Sequence, residues 1–355
     1  MKTMRSGWLA VALLAAVAIA PARGAGFADP LDTPAVISPL ASRSLMQGVA
    51  RAGNWLVAVG QRGHIVVSTD GGATWKQSPA PVSSDLTAVF FASDRKGWAV
   101  GHDGVILHTE DGGLTWVVQL DGQRANESLV QSLQQPRPGL APAEQQKLLD
   151  EAKRYKELGA DKPFLDVWFA DESNGYVVGA YNLIFHTRDG GRNWEPWFER
   201  TENPKFFNLY AIRPAAGGLY VAGEGGLVLK LDPDAQRFRA LPIPYKGSFF
   251  GVVGDKSDIV VFGLRGNAFR SADRGSTWTK VDAGLPASIV AGASTADGAI
   301  VLGDQGGRIA ISADGGATFR PALLKNPMPL AGIANAGNGR LALAGLRGVA
   351  VVELP

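Results

Sequence analysis

Seven times along the chain an apolar run meets a glycine turn and a second apolar run follows, and most copies then close on S/T-x-D-x-G-x-T-W. The copies read WLVAVGQRGHIVVSTDGGATW (55–75), WAVGHDGVILHTEDGGLTW (98–116), YVVGAYNLIFHTRDGGRNW (176–194), LYVAGEGGLVLKLDPDAQRF (219–238), IVVFGLRGNAFRSADRGSTW (259–278), AIVLGDQGGRIAISADGGATF (299–319) and LALAGLRGVAVVEL (341–354). Each is preceded by a further apolar stretch, such as LTAVFFA from 86 or FLDVWFA from 164. Every unit therefore predicts four short strands, A to D, joined by glycine-containing turns. Such units cannot bury their apolar faces alone, and the pattern predicts an all-β chain, a seven-bladed β-propeller of four-stranded blades over residues 33–355.

The first glycines of the turns, Gly60, Gly101, Gly179, Gly223, Gly263, Gly303 and Gly345, are spaced by 41, 78, 44, 40, 40 and 42 residues. No repeat phrase occupies 121–160 inside the doubled step, so that stretch is expected to be a helical insertion between blades 2 and 3. After Pro142, the run AEQQKLLDEAKRYKEL places Leu148, Leu149, Ala152 and Tyr155 on one side of a helix that stops at Gly159, and 126–135 predicts a shorter helix ended by Pro136. The seventh copy stops after strand C. The unassigned segment TPAVISP (33–39) is expected to supply its outer strand, leaving no open edge.

Composition agrees with this reading: Gly 45 and Pro 21 suit a turn-rich chain, and 46% hydrophobic residues suit a continuous core. Lys2 and Arg5 precede an apolar run over 8–20 and small residues follow, which reads as a signal peptide over 1–25 and a periplasmic destination. An uncleaved N-terminal anchor is the competing reading, although a comfortable span needs about 20 apolar residues. Without Lys2 and Arg5 the formal charge of +2 falls to 0, and to −1 if Arg23 is also lost, so neither nucleic acid nor an anionic membrane surface is an expected partner. With no cysteine there is no disulfide, thiolate metal site or lipid-modified cysteine.

In STDGGATW (68–75) the Asp70 carboxylate can accept backbone N–H bonds across a tight turn, the glycines can take positive φ, and Trp75 can pack between blades. The same Asp-box positions recur as Asp111 and Trp116, Asp189 and Trp194, Asp273 and Trp278, and Asp314 and Phe319. Five equivalent aspartates around a ring are expected to serve the fold and not a reaction. His108 and His186 occupy equivalent places on strand C, and His64 and His102 lie near glycine turns where they are expected to face solvent. No metal or cofactor site is expected.

These phrases, G-W-A-V-G-x-x-G-x-I-L-x-T-x-D-G-G-x-T-W above all, resemble the photosystem II stability/assembly factor family over essentially the whole mature chain except 121–160. The resemblance implies a non-enzymatic monomer that binds newly made membrane subunits without inserting into the membrane. Relatives in non-photosynthetic bacteria resemble accessory proteins encoded beside resistance-nodulation-division exporters, which makes an export pump one candidate partner. The family is associated with an arginine patch, carried over here onto Arg62, Arg265 and Arg347.

Independently of that resemblance, B-to-C turns and D-to-A connections should open on one face and the Asp-box hairpins on the other. The turn face would then carry Arg62, His102 with Asp103, Tyr181, Glu224, Arg265, Asp304 and Arg347 at positions expected to vary with little effect on folding. Arginine forks there suit carboxylates or an acidic protein surface. The insertion belongs to this face, either packed on the rim or reaching out as a partner-binding arm. The alternative function is a glycan-binding or sialidase-like glycosidase propeller. Asp103, Glu224 and Asp304 would supply channel carboxylates, and Trp197, Phe198 and Tyr245 sugar-stacking aromatics. The arginine-isoleucine-proline signature of sialidases is absent, its nearest string being A-I-R-P at 211–214.

Overall fold

The structure, a computed structural model, describes residues 28–137 and 139–354. The expected signal peptide over 1–25 lies outside the described residues. Seven antiparallel sheets follow one another in chain order, over 46–78, 86–120, 164–196, 209–240, 249–281, 289–322 and 330–353. Six have four strands and the seventh has three. Strand A of each blade neighbours strand A of the next, and strand A of blade 7 (Leu330–Gly337) neighbours that of blade 1 (Met46–Ala52), closing the ring.

The B strands explain why the blades form a ring. Trp55–Gly60, Gly97–Gly101 and Ile259–Gly263 are apolar at nearly every position because both faces of a blade are covered by its neighbours. The buried apolar side chains divide into seven clusters, one per seam. At the seam of blades 1 and 2, for example, Val57, Val59 and Val67 meet Val89, Leu107 and Trp116. Each fully buried side chain of this kind contributes about 1.5–3 kcal/mol relative to exposure.

Segment 33–39 does not complete blade 7. It runs along strand D of blade 1 (Lys76–Ser78), where Ala35 N donates to Ala80 O at 3.0 Å, Ser38 N to Gln77 Oε1 at 2.7 Å and Gln77 Nε2 to Val36 O at 3.1 Å. The Gln77 amide satisfies two backbone groups of the segment at once, and the chain then places Ala41 in the seam between blades 7 and 1. Leu56, Ala58 and Val66 face Ala342 and Ala344 across that seam, and the Arg340 guanidinium donates to Gly71 O at 3.2 Å. Closure is therefore by packing and not by a shared sheet.

Each Asp-box ties its hairpin internally. Asp70 accepts from the Ser68 hydroxyl at 2.7 Å, Thr74 N at 2.9 Å and the Thr74 hydroxyl at 2.5 Å, while Gly72 N donates to Ser68 Oγ at 2.7 Å. The same pattern surrounds Asp111, Asp189, Asp273 and Asp314, with Asn193 replacing threonine in blade 3. Trp116 and Trp194 are buried, and Trp75, Trp278 and Phe319 pack part-buried against the seam clusters. Bonds from Thr74 and Thr277 hold the carboxyls of Asp70 and Asp273 down at about 2, and Asp314 is depressed by Thr318 in the same way. At Asp111 and Asp189 partial burial works against the shift, but the bonds from Thr115 and Asn193 still lower the carboxyls.

Two helices follow strand D of blade 2: α1 (Gly122–Gln134) and α2 (Pro142–Leu158). Asp121 caps α1 by accepting Arg124 N at 2.9 Å, so this helix starts earlier than the expected 126. Leu129 and Leu133 of α1 join Leu148, Ala152 and Tyr155 of α2 in the cluster between blades 2 and 3, with Leu149 part-buried beside it. No helix among the described residues is long and apolar enough to cross a membrane.

Two outcomes follow. A Cβ on Gly72, at φ +94, would lie 2.1 Å from Val351 Cγ2 across the closing seam, whereas Gly217, at φ +70, has nothing within 4 Å. In chemical denaturation Gly72→Ala is expected to cost about 2–4 kcal/mol and Gly217→Ala only about 1. The second concerns acid. Burial pushes His186 down to about 4, so its neutral form stabilises the fold above its ordinary pKa near 6.5, and that stability is lost as pH falls toward 4. The depressed Asp-box carboxyls stabilise the fold above their ordinary pKa near 4, and lose that contribution as pH falls through about 2. Thermal melts should fall in these two stages, with Asp70→Asn lessening only the lower one, by the share of that one carboxylate among five.

Candidate interaction face and central channel

The B-to-C turns pack on D-to-A connections. A Cβ added to Gly63, Gly226, Gly266 or Gly348 would run into the backbone of Val82, Tyr245, Leu285 or Ser42 respectively. The Asp-box hairpins instead lie beside the A-to-B turns, Gly112 near Asp94, Gly190 near Glu172 and Gly315 near Asp258. Turn residues and Asp-boxes are therefore segregated to opposite faces.

In four of these turns the middle residue is not glycine yet sits in the left-handed region: Arg62 at φ 55, Asp103 at φ 57, Tyr181 at φ 52 and Arg265 at φ 57. Blade 4 has Gly225 at φ 65 in the same place. The positions are thus not free to vary, as the spacing alone suggested, because glycine is the relaxed choice and each bulky residue costs about 1–2 kcal/mol. Arg62, Arg265 and Arg347 are exposed, and among the described residues none of their guanidinium groups has a carboxylate or hydrogen-bond acceptor. Arg347 differs in lying in a two-residue hairpin between Gly345 and Gly348.

The other expected residues divide. His102 is exposed, and Tyr181 is 50% exposed. Tyr181 N donates to Asn208 Oδ1 at 2.9 Å and its carbonyl accepts the Tyr155 hydroxyl at 3.1 Å, which ties α2 to the turn face. Glu224 is half-buried and accepts Asn208 N at 3.2 Å. Asp304 is fully buried and accepts Arg308 N at 2.9 Å. In blade 6 Asp304 stands where blade 1 has the turn glycine Gly60: Gly303 pairs with Ile309 as Val59 does with Ile65, and Asp304 N bonds Arg308 O as Gly60 N bonds His64 O. Its side chain is thereby folded inward and offers no charge to a partner.

The central channel is narrow, about 150 Å³, and is lined by the seven A strands. In every blade the A–B ladder slips by one residue, and the unpaired residue lines the channel: Gln47, Thr87, Leu165, Tyr210, Phe250, Val290 and Ala331. Its carboxylate is Asp166, which accepts Ile212 N at 2.8 Å and Arg213 Nη1 at 2.5 Å. Burial pushes the Asp166 carboxyl up, opposed by the Arg213 charge. The expected channel carboxylates Asp103, Glu224 and Asp304 do not line it. Ligand pockets usually hold about 300–1,000 Å³, so this one does not suit a sugar.

Two further expectations are corrected. Trp197 and Phe198 are buried in seam clusters, because the chain after the blade 3 Asp-box turns inward, which leaves only Tyr245 part-exposed. His64 is buried against Ser44 and does not face solvent. His108 and His186 are buried by stacking on Trp98 and Tyr176 at 4.8 and 4.3 Å. Among the described residues no three histidine or carboxylate side chains gather as a metal site.

The family model described as photosynthesis system II assembly factor YCF48 matches residues 47–136 and 146–322, the gap between them covering the link between the two helices and the first turn of α2. The chain belongs to this family. A similar curated protein, the photosystem II assembly lipoprotein Ycf48 of Trichormus variabilis, is 26% identical over 187 residues, covering 49% of this chain and 54% of that one. The chain spans about half or less of the length of the curated relatives it matches. A solved structure of YCF48 bound to a D1 peptide aligns with 91% of this chain and 96% of its own at TM-score 0.63 and 15% identity. Virginiamycin B lyase from Staphylococcus aureus aligns with 90% and 97% at TM-score 0.65 and 12% identity. At such identities both structures speak for the fold alone, while the curated relatives are named as assembly factors.

Because glycine is the relaxed residue at the left-handed turn position, Arg265→Gly is expected to raise stability by about 1 kcal/mol in urea denaturation. A loss of that size would mean the guanidinium supports the fold.

Proposed function

We propose that the chain is a non-catalytic periplasmic accessory factor that holds an acidic segment of a membrane protein complex, or of one of its subunits, against its turn face. The observation that carries the reading is the set of exposed arginines, Arg62 and Arg265 at strained left-handed positions and Arg347 in a tight hairpin, whose guanidinium groups have no acceptor among the described residues. Retaining costly backbone at exposed sites is a mark of function. Arg62 and Arg347 stand on blades that adjoin across the closing seam, and His102, Tyr181 and Glu224 extend the same face toward the insertion.

Membership of the assembly-factor family supports a role in assembly or stability, and a related YCF48 has been solved with a D1 peptide bound. A photosynthetic subunit and an export pump are both membrane complexes of the required kind. The small channel, with Asp166 already paired to Arg213, argues against glycosidase chemistry.

The test is affinity capture of a tagged chain from mildly solubilised membranes of its host. A membrane complex should be retained, and the double variant R62E/R347E should lower its recovery by about tenfold, as expected for lost charge complementarity at an interface. Asp70→Ala should lower the melting temperature while leaving recovery of the folded fraction unchanged. Recovery indifferent to charge reversal, or sensitive to Asp70→Ala at equal folded protein, would sink the reading.

A further inference from the structure

Blade 7 carries a second surface, independent of the arginines. Its strand C, Gly348–Glu353, has no strand D beside it among the described residues, whereas the other six blades pair strand C with an outer strand of two to five residues, such as Lys76–Ser78, Val117–Leu120 or Thr279–Val281. Gly345 and Gly348 close a two-residue hairpin, and Leu354 N bonds Gly339 O at 2.7 Å. Antiparallel alternation then sends the N–H and C=O of Ala350 and Val352 to strand B and those of Val349 and Val351 outward. No described residue accepts or donates at those outward groups.

The strand is apolar on both faces, Val349 and Val351 toward blade 1 and Ala350 and Val352 toward blade 6. Yet Val349 to Val352 are all only half-buried, while strands C of blades 1 to 3 are fully buried. At the hairpin end lie exposed apolar side chains: Leu346 at 60% and, on the segment whose Ser42–Arg43 backbone packs on Gly348, Leu40 at 61%, Ile37 at 62% and Val36 at 75%. That segment is held on blade 1 by Gln77 and does not reach the edge as a strand.

We infer that this edge is a docking site for an extended segment of a partner polypeptide, which adds the fourth strand by β-augmentation with an apolar residue opposite Val349. The repeat defines what fits. In blade 5, buried Val281 of the outer strand lies opposite Ala268, the equivalent of Val349, with Lys280 and Thr279 opposite Phe269 and Arg270. Main-chain bonds at Val349 and Val351 supply affinity, and the apolar floor supplies preference for a hydrophobic segment.

The probe is the peptide TWTKVDA, the chain's own blade 5 outer strand (277–283), added to the mature protein. In the free monomer the amides of Val349 and Val351 should exchange rapidly and those of Ala350 and Val352 slowly. The peptide should bind saturably and protect the first pair. Val351→Pro removes an outward N–H without touching the bonds to strand B, and is expected to weaken binding about tenfold, whereas Val351→Ala should change it less than about threefold. If Val351→Pro does not fold, a peptide N-methylated at its second threonine, which the blade 5 register places opposite Val351, removes a main-chain bond at that position from the ligand side. R347E should leave peptide affinity unchanged, which separates this site from the arginine reading. Protection of Val349 and Val351 in the free monomer would assign the edge to the chain's own residues, and protection that appears only with dimerisation would assign it to a second copy. Either result, no saturable binding, or equal losses in the two Val351 variants would overturn the inference.

Discussion

Everything in this molecule depends on apolar burial between sheets that are hydrophobic on both faces. A single blade such as 46–78 presents Val57, Val59 and Val67 on one side and Leu56, Ala58 and Val66 on the other, so it is covered only when it has two neighbours. The ring meets that requirement for all seven units at once, and its closing seam is made of the same side-chain contacts as the other six. The Asp-boxes are subordinate to this. Their carboxylates rigidify hairpins so that a glycine, as at Gly72 and Gly316, can press against the preceding blade at Val351 and Val260.

A scaffold stabilised in its seams leaves its two faces for other purposes, and they have been used differently. The Asp-box face repeats the same bonds at Asp70, Asp111, Asp189, Asp273 and Asp314, a uniformity that suits structure. The opposite face varies from blade to blade, and bears exposed side chains at left-handed positions where Gly225 shows the relaxed alternative. It also receives the insertion, anchored through the Tyr155 hydroxyl on the Tyr181 carbonyl. Left-handed non-glycine residues also occur on the Asp-box side, at Arg274, Gln236, Ala216 and Asn338, so what sets the turn face apart is its exposed arginines without acceptors.

The ring was legible because its cause is local: the repeated G-x-x-G phrase and the apolar B strands impose turns and two-faced sheets wherever they occur. What escaped depended on register or on one-residue differences. The channel residues, Gln47 to Ala331, are set by bulges that no periodicity reveals, and Asp166 meets Arg213 only once blades 3 and 4 adjoin. Asp304 looked equivalent to His102 and Glu224, but the register puts it one position earlier, in place of the first turn glycine, where it is buried. Segment 33–39 has the apolar character of an outer strand, but the Gln77 side chain, invisible as a signal, holds it on blade 1. The signal for the α1 start was present in Asp121 as a cap three residues before Arg124, and the inserted helices were otherwise readable from Leu148, Ala152 and Tyr155.

The central claim is that partners are held by the turn face and not by the Asp-box face, and site-specific photocrosslinking in the host addresses it most directly. A photoreactive residue placed in turn at 62, 265 and 347, and for comparison at the exposed Asp-box positions 73, 276 and 317, reports which face touches a neighbour. Adducts with a membrane protein from the first set and none from the second are the predicted result. Adducts from the Asp-box set alone would contradict the account.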